Sequence, residues 1–128
     1  MSEPAALEPD SLSHLDAMGR AQMVDVGLKP VTTRMARAEG RIEMAKDTLA
    51  LIAGGGLPKG EVLSVARIAG IQAAKRCSEL IPLCHFLPLD SVTLEFEQQA
   101  APPAIVVRAT ARCRASTGVE MEALTAVS

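Results

Sequence analysis

Neither tryptophan nor tyrosine occurs in this 128-residue chain, and phenylalanine occurs only twice. A core without large rings has to be built from Ala, Val, Ile, Leu and Met, whose small side chains let backbones approach closely. Cysteine is scarce as well. Cys77, Cys84 and Cys113 are odd in number and lack a C-x-x-C spacing, which argues against a disulfide framework and a zinc ribbon. A reducing cytoplasm is the expected compartment, and no metal is expected. No excess of positive charge is present either: the formal net charge is -2. Backbone phosphate binding rests on clustered Lys and Arg, so no nucleic-acid partner is expected and any anion site must be local. No apolar run reaches the length of a membrane span, and the first residues carry Glu3, Glu8 and Asp10 with no continuous apolar segment. No membrane partner is expected.

What is present organises into one domain. Residues 1–20, with Pro4 and Pro9, read as a poorly ordered lead-in, and His14 there reads as solvent-exposed. Residues 21–128 form the domain. Val24 and Val26, then Val31, Thr33 and Met35, alternate in part and predict a strand. "AKDTLALIAGGG" predicts a short helix with Asp47 at its start and Gly54 at its end. The strongest helical pattern lies in "EVLSVARIAGIQAAKRCSEL", where Val62, Val65, Ala66, Ala69 and Ala73 recur at helical spacing and Pro82 follows as a stop. Gly70 inside this helix costs up to about 1 kcal/mol relative to Ala, so it predicts a close approach of another backbone.

"SVTLEFEQ" and "AIVVRATARCR" both alternate. Val92, Leu94 and Phe96 share one face of the first, and Ile105, Val107, Ala109, Ala111 and Cys113 share one face of the second. Joined through "QAAPPA", the two predict a hairpin. Thr117 and Glu120 have the T-x-x-E spacing of a capping box before an Ala-rich helix. The mixture predicts an α+β fold with helices packed on one face of an antiparallel sheet.

Several residues carry chemical potential. Lys59 sits on "GGGLPKG" before a helix, where backbone N–H groups favour an anion, but the Walker spacing is not met and Glu61 follows. Alone, Lys59 reads equally as a solvated surface side chain. Arg67 and Lys75 lie about 80° apart on the long helix and either face a cleft together or form a solvated basic face. His85 suits general acid–base work or a core position bonded to a carbonyl. Cys77, Cys84 and His85 make a poor metal set, because neighbours on an extended segment point to opposite faces. Glu120 is accounted for by the capping box. Glu122 is not, and a carboxylate there suits the donor edge of a heterocycle.

"KGEVLSVARIAGIQAAKR", "LIPLCH" and "TGVEMEALTA", preceded by "MVDVG" and "VTTRMARAEG", resemble the signature segments of the molybdenum cofactor biosynthesis protein C family, the cyclic pyranopterin monophosphate synthases. The resemblance runs from Met23 to Ser128 in the family's order. It implies a ferredoxin-like fold assembled from dimers into a homo-hexamer, with active sites at subunit interfaces and no cofactor. It also implies the conversion of 3′,8-cyclo-7,8-dihydroguanosine 5′-triphosphate to cyclic pyranopterin monophosphate, with pyrophosphate released. By this similarity Leu83, Cys84, His85, Met121 and Glu122 contact the pterin-like substrate. Lys59 and Lys75 fall on positions associated with catalysis or anion binding, as do Arg34 and Arg67.

Three departures accompany the likeness. Phe86 stands where the family usually has Pro, and Gln22 where it often has His. The family also continues beyond "EMEALTA" through a helix bearing a D-M-x-K segment, which implies that the domain is cut short at its C-terminus. A second reading therefore stands beside the enzyme: a non-catalytic pterin- or nucleotide-binding relative, or an assembly subunit.

Overall fold

The computed structural model describes residues 17–23, 30–54 and 61–128. Its elements are strand β1 (Thr32–Glu43), helices α1 (Lys46–Gly54), α2 (Val62–Lys75) and α3 (Cys77–Leu80), strands β2 (Ser91–Gln99) and β3 (Ala104–Ala115), and helix α4 (Glu120–Val127). The strands form one antiparallel sheet in the order β1-β3-β2. β2 and β3 are the predicted hairpin. β1 pairs with the far side of β3, from Thr32 opposite Ala115 to Glu43 opposite Ala104. Strands β1 and β2 therefore run parallel on either side of β3, with helices in the connection between them. This is the split βαβ arrangement of the ferredoxin-like topology, and the fold is α+β.

One sheet face is covered. Cys113, Ala111 and Ala115 pack with Val119 and Ala123, while Ala109 and Leu94 pack with Ala74 of α2 and Ala126 of α4. Val119, Cys77 and Cys113 are the largest fully buried side chains, as a core without large rings requires. The opposite face is charged. Arg108 on β3 donates from Nε to Glu39 of β1 and from a terminal nitrogen to Glu97 of β2, each at 2.8 Å, so one guanidinium ties all three strands. These two carboxylates hold the Arg108 proton more firmly than usual.

Four local expectations are corrected. The inward side of β1 is Arg34, Ala36, Ala38 and Gly40, and Val31, Thr33 and Met35 are exposed. A period of two leaves no intermediate choice, and helix α4 needs the small residues beneath it. Val24 and Val26 lie outside the described residues, as do His14 and most of the first twenty positions. On α2 the buried residues are Gly70 and Ala74, whereas Val65 is 58% exposed. Asp47 stands inside the first turn of α1, which begins at Lys46. The capping box is not formed: Val119 precedes α4 and no side chain caps it.

Gly70 does mark a close approach. A methyl group built there would lie 2.5 Å from Leu94 Cδ2 and 2.9 Å from the carbonyl oxygen of Ala126. Glycine thus lets α2 and α4 pack backbone to backbone, which sets where α4 carries Glu122.

Candidate functional site

The chain leaves α3 at Ile81 and turns sharply. Cys84 N–H donates to the Ile81 carbonyl at 3.3 Å, and Leu83 adopts a positive φ of 64°. A bulky side chain in the left-handed region costs roughly 1–2 kcal/mol, which the surrounding structure has to offset. The turn ends the extended geometry on which the opposite-face argument rested. Cys84 and His85 consequently both line one pocket.

That pocket has a volume of about 230 Å³. Its walls come from the turn (Pro82, Leu83, Cys84, His85), from the lead-in to α4 (Thr117, Gly118) and from its first turn (Glu120, Met121, Glu122). Drug-sized ligands occupy roughly 300–1,000 Å³, so this space suits a fused ring system and leaves a triphosphate outside it. Its apolar and polar groups converge from two chain segments held together through the α2–α4 contact.

Glu122 is 2% exposed. Burial, which disfavours the charged form, lifts its carboxyl above the usual range, opposed by hydrogen bonds from its backbone and from the Cys84 thiol. Cys84 Sγ stands 3.8 Å from Glu122 Oε2 and 3.7 Å from Cys77 Sγ. Burial first, then the Cys77 hydrogen bond and the nearby Glu122 charge, push the Cys84 thiol up to about 12. Cys77 is 1% exposed, and its sulfur also meets Thr125 Oγ1 at 3.4 Å. Nearby Cys113 is likewise raised by burial in the sheet. A buried carboxyl with a raised affinity for its proton, an imidazole and a thiol can exchange protons with a heterocycle and accept hydrogen bonds from its N–H edge.

Leu83, Cys84, His85, Met121 and Glu122, anticipated as a group, therefore meet in one place. Those of the anticipated cations that lie among the described residues do not. Lys75, exposed in the last turn of α2, borders a separate surface depression with Gln72 and Arg76. Arg67 donates from Nε to the Leu94 carbonyl at 3.3 Å and lies 5.3 Å above the Phe96 ring, so the two basic residues of α2 do not share a cleft. Arg34 donates from Nε to the Ala115 carbonyl at 3.2 Å, just before the segment that leads to Thr117. Lys59 lies outside the described residues.

Thr117, Gly118 and Glu120 were not anticipated in the pocket. The capping-box spacing explained Thr117 and Glu120 too readily. Cys77 is associated by the sequence only with a metal set that includes His85. Its approach to Cys84 depends on the left-handed turn at Leu83, for which the residue type carries no signal.

No helix among the described residues is long and apolar enough to cross a membrane. Residues 23–128 match the model of the MoaC family. A cyclic pyranopterin monophosphate synthase of Chloroflexus aggregans is 61% identical over 119 residues, 93% of this chain and 72% of that protein. Proteins of the same name from Cereibacter sphaeroides and Herpetosiphon aurantiacus are each 56% identical over 117 residues, 91% of this chain, covering 74% and 71% of the relative. The matched span contains the turn at Leu83, the Cys84–His85 pair and the first turn of α4, so the residues that build the pocket are those that the likeness covers, and the chain belongs to the MoaC family.

Proposed function

We propose that this protein converts 3′,8-cyclo-7,8-dihydroguanosine 5′-triphosphate to cyclic pyranopterin monophosphate and pyrophosphate, a lyase step in molybdenum cofactor biosynthesis. The observation that carries the reading is the buried Glu122 beside Cys84 and His85 in a ring-sized pocket. Membership of a family whose similar relatives bear that synthase name supports it.

The purine-derived ring enters between the turn at Leu83 and the first turn of α4. Glu122 accepts hydrogen bonds from the ring's N–H edge, and its elevated affinity for a proton suits it to return one as the ring opens. His85 supplies the second proton-transfer group. Met121 and Leu83 provide apolar walls that exclude water from the ring. The triphosphate extends out of the pocket, where cations must hold it while a cyclic phosphate forms and pyrophosphate leaves.

Lys59, Lys75, Arg34 and Arg67 are the groups proposed for that task. Each arginine spends one N–H on a backbone carbonyl and retains further donors in its planar fork. Lys75 and Arg67 stand apart from the pocket of their own chain, which supports a shared site in which a second copy contributes cations. A homo-hexamer built from dimers would meet that need. The reading places the enzyme in the cytoplasm with a small-molecule partner, and without nucleic acid, membrane or cofactor.

Titration calorimetry with the cyclic dihydroguanosine triphosphate, beside an assay for pyrophosphate and cyclic product, tests the reading. Saturable binding is expected, weakened by Glu122→Gln and His85→Ala in folded protein, with both products formed in equal amounts. Absence of saturable binding would overturn it. Light scattering tests the assembly, and a monomer that turns over at micromolar concentration would remove the shared site.

A further inference from the structure

The sulfur of Cys77 has no part in the proposed reaction, yet it is placed with unusual company. It opens α3, Cys84 follows the turn at Leu83, and Glu122 lies in the first turn of α4. One donor atom from each of the three falls within 4.8 Å of the others. For zinc, with Zn–S near 2.3 Å and tetrahedral angles, two ligating sulfurs stand about 3.8 Å apart and a sulfur and carboxylate oxygen about 3.6 Å apart. The observed separations are 3.7 Å for Cys77 Sγ to Cys84 Sγ and 3.8 Å for Cys84 Sγ to Glu122 Oε2. These two separations match the zinc values to about 0.2 Å, and the third, Cys77 to Glu122, lies within 4.8 Å, so a shift of at most about 1 Å of the flexible carboxylate closes the ligand shell.

We propose that Cys77, Cys84 and Glu122 form a binding site for a thiophilic divalent cation of the zinc type at the base of the pocket. Two thiolates and a carboxylate favour a borderline-soft ion over magnesium or calcium, which prefer oxygen shells. Cys84 and Glu122 line the pocket, which leaves a fourth position for water. Occupancy joins α3, the turn and α4 through one ion, and it engages the same carboxylate that the proposed reaction assigns to the heterocycle. Zinc and the heterocycle therefore compete for Glu122. This last consequence rests on the functional reading, whereas the site itself does not.

The test uses fully reduced, metal-free protein under a phosphine reductant without oxygen, with cobalt(II) as the spectroscopic probe. Expected are saturation at one equivalent, a sulfur-to-cobalt charge-transfer band and strong visible bands of four-coordinate cobalt, all displaced by one equivalent of zinc. Cys77→Ser and Cys84→Ser should each weaken cobalt binding by more than the roughly tenfold to hundredfold that loss of an outer-shell partner costs. Cys113→Ser should retain the whole spectrum. Circular dichroism establishes that the variants fold, and a zinc-dependent rise in the wild-type melting temperature gives a readout that needs no variant. Weak six-coordinate bands only, no charge-transfer band, or a spectrum unchanged in Cys77→Ser would each overturn the site. None of these readouts involves the substrate, so failure of the metal site and failure of the proposed reaction are separately visible.

Discussion

Replacing Gly70 by alanine sets two effects of opposite sign against each other. In a helix interior the change gains about 1 kcal/mol of intrinsic propensity. Against that, the new methyl would stand 2.5 Å from Leu94 Cδ2 and 2.9 Å from the Ala126 carbonyl oxygen. Leu94 on β2 is 5% exposed, with little room to swing clear, and the carbonyl belongs to the backbone of α4, so relief requires α2 to move away from both the sheet and α4. Overpacking of this kind costs about 1–3 kcal/mol, leaving a net loss near the upper part of 0–2 kcal/mol. At roughly 3–6 °C per kcal/mol for a domain of this size, the melting temperature should fall by several degrees. Because α4 carries Glu122, turnover should fall further than stability alone explains, in keeping with the steep cost of misplacing a reacting group. Gly40→Ala is the control, since its methyl would meet Val127 at an ordinary 3.5 Å. Calorimetric melting and turnover of both variants are the assays. A Gly70→Ala protein that melts at or above the wild type would refute the close contact and with it the account of how α4 is positioned.

Other outcomes follow from the site. Burial raises the Glu122 carboxyl, so the metal-free folded state holds that proton more tightly than the unfolded chain does. Its contribution is complete below the ordinary carboxylate range and is lost as pH rises through the raised value; Glu122→Gln should flatten that decline in urea midpoints taken between about pH 4 and pH 8. Parallel pH profiles for the two proteins would contradict this. With its thiol pushed up to about 12 from 9.0, Cys84 in metal-free protein should be alkylated near pH 8 roughly 30- to 60-fold more slowly than an ordinary thiol, the smaller thiolate fraction being partly offset by the greater nucleophilicity of a more basic thiolate, as followed by peptide mass spectrometry. Lys59→Ala and His85→Ala should each abolish product formation with circular dichroism and gel filtration unchanged, and unfolding of either variant would return that residue to a structural role.

The strands of the hairpin were legible because each side chain pattern had one meaning. Val92, Leu94 and Phe96 face the helices, and Arg108, Arg112 and Arg114 do not, as simple alternation requires. In β1 and α2 the same rules pointed to the wrong stripe. There the larger apolar residues Met35 and Val65 lie outside, and the buried positions of the contact face are Ala and Gly, chosen for closeness rather than for buried area, with Ile71 half-buried beside them. The pocket was readable as a set of residues through family likeness. Its geometry was not, since it depends on the backbone of Leu83, and the meeting of Cys77 with Cys84 follows from that turn.

The central position of β3 has a consequence for the order in which the chain acquires structure. The hairpin closes over a short connection, Gln99 opposite Ala104, on a timescale of microseconds once both strands exist. β1 comes first in the chain but must wait for its partner, since Glu43 pairs with Ala104 and Thr32 with Ala115. Such long-range pairing is the slow part of folding. During synthesis β1 is therefore a strand of 12 residues with no partner until β3 emerges. An unpaired edge of that length invites pairing with another nascent chain. Arg37, Glu39 and Arg41, spaced along its exposed side, place charges on that strand throughout the interval and guard it against misassembly before Arg108 arrives to bind Glu39.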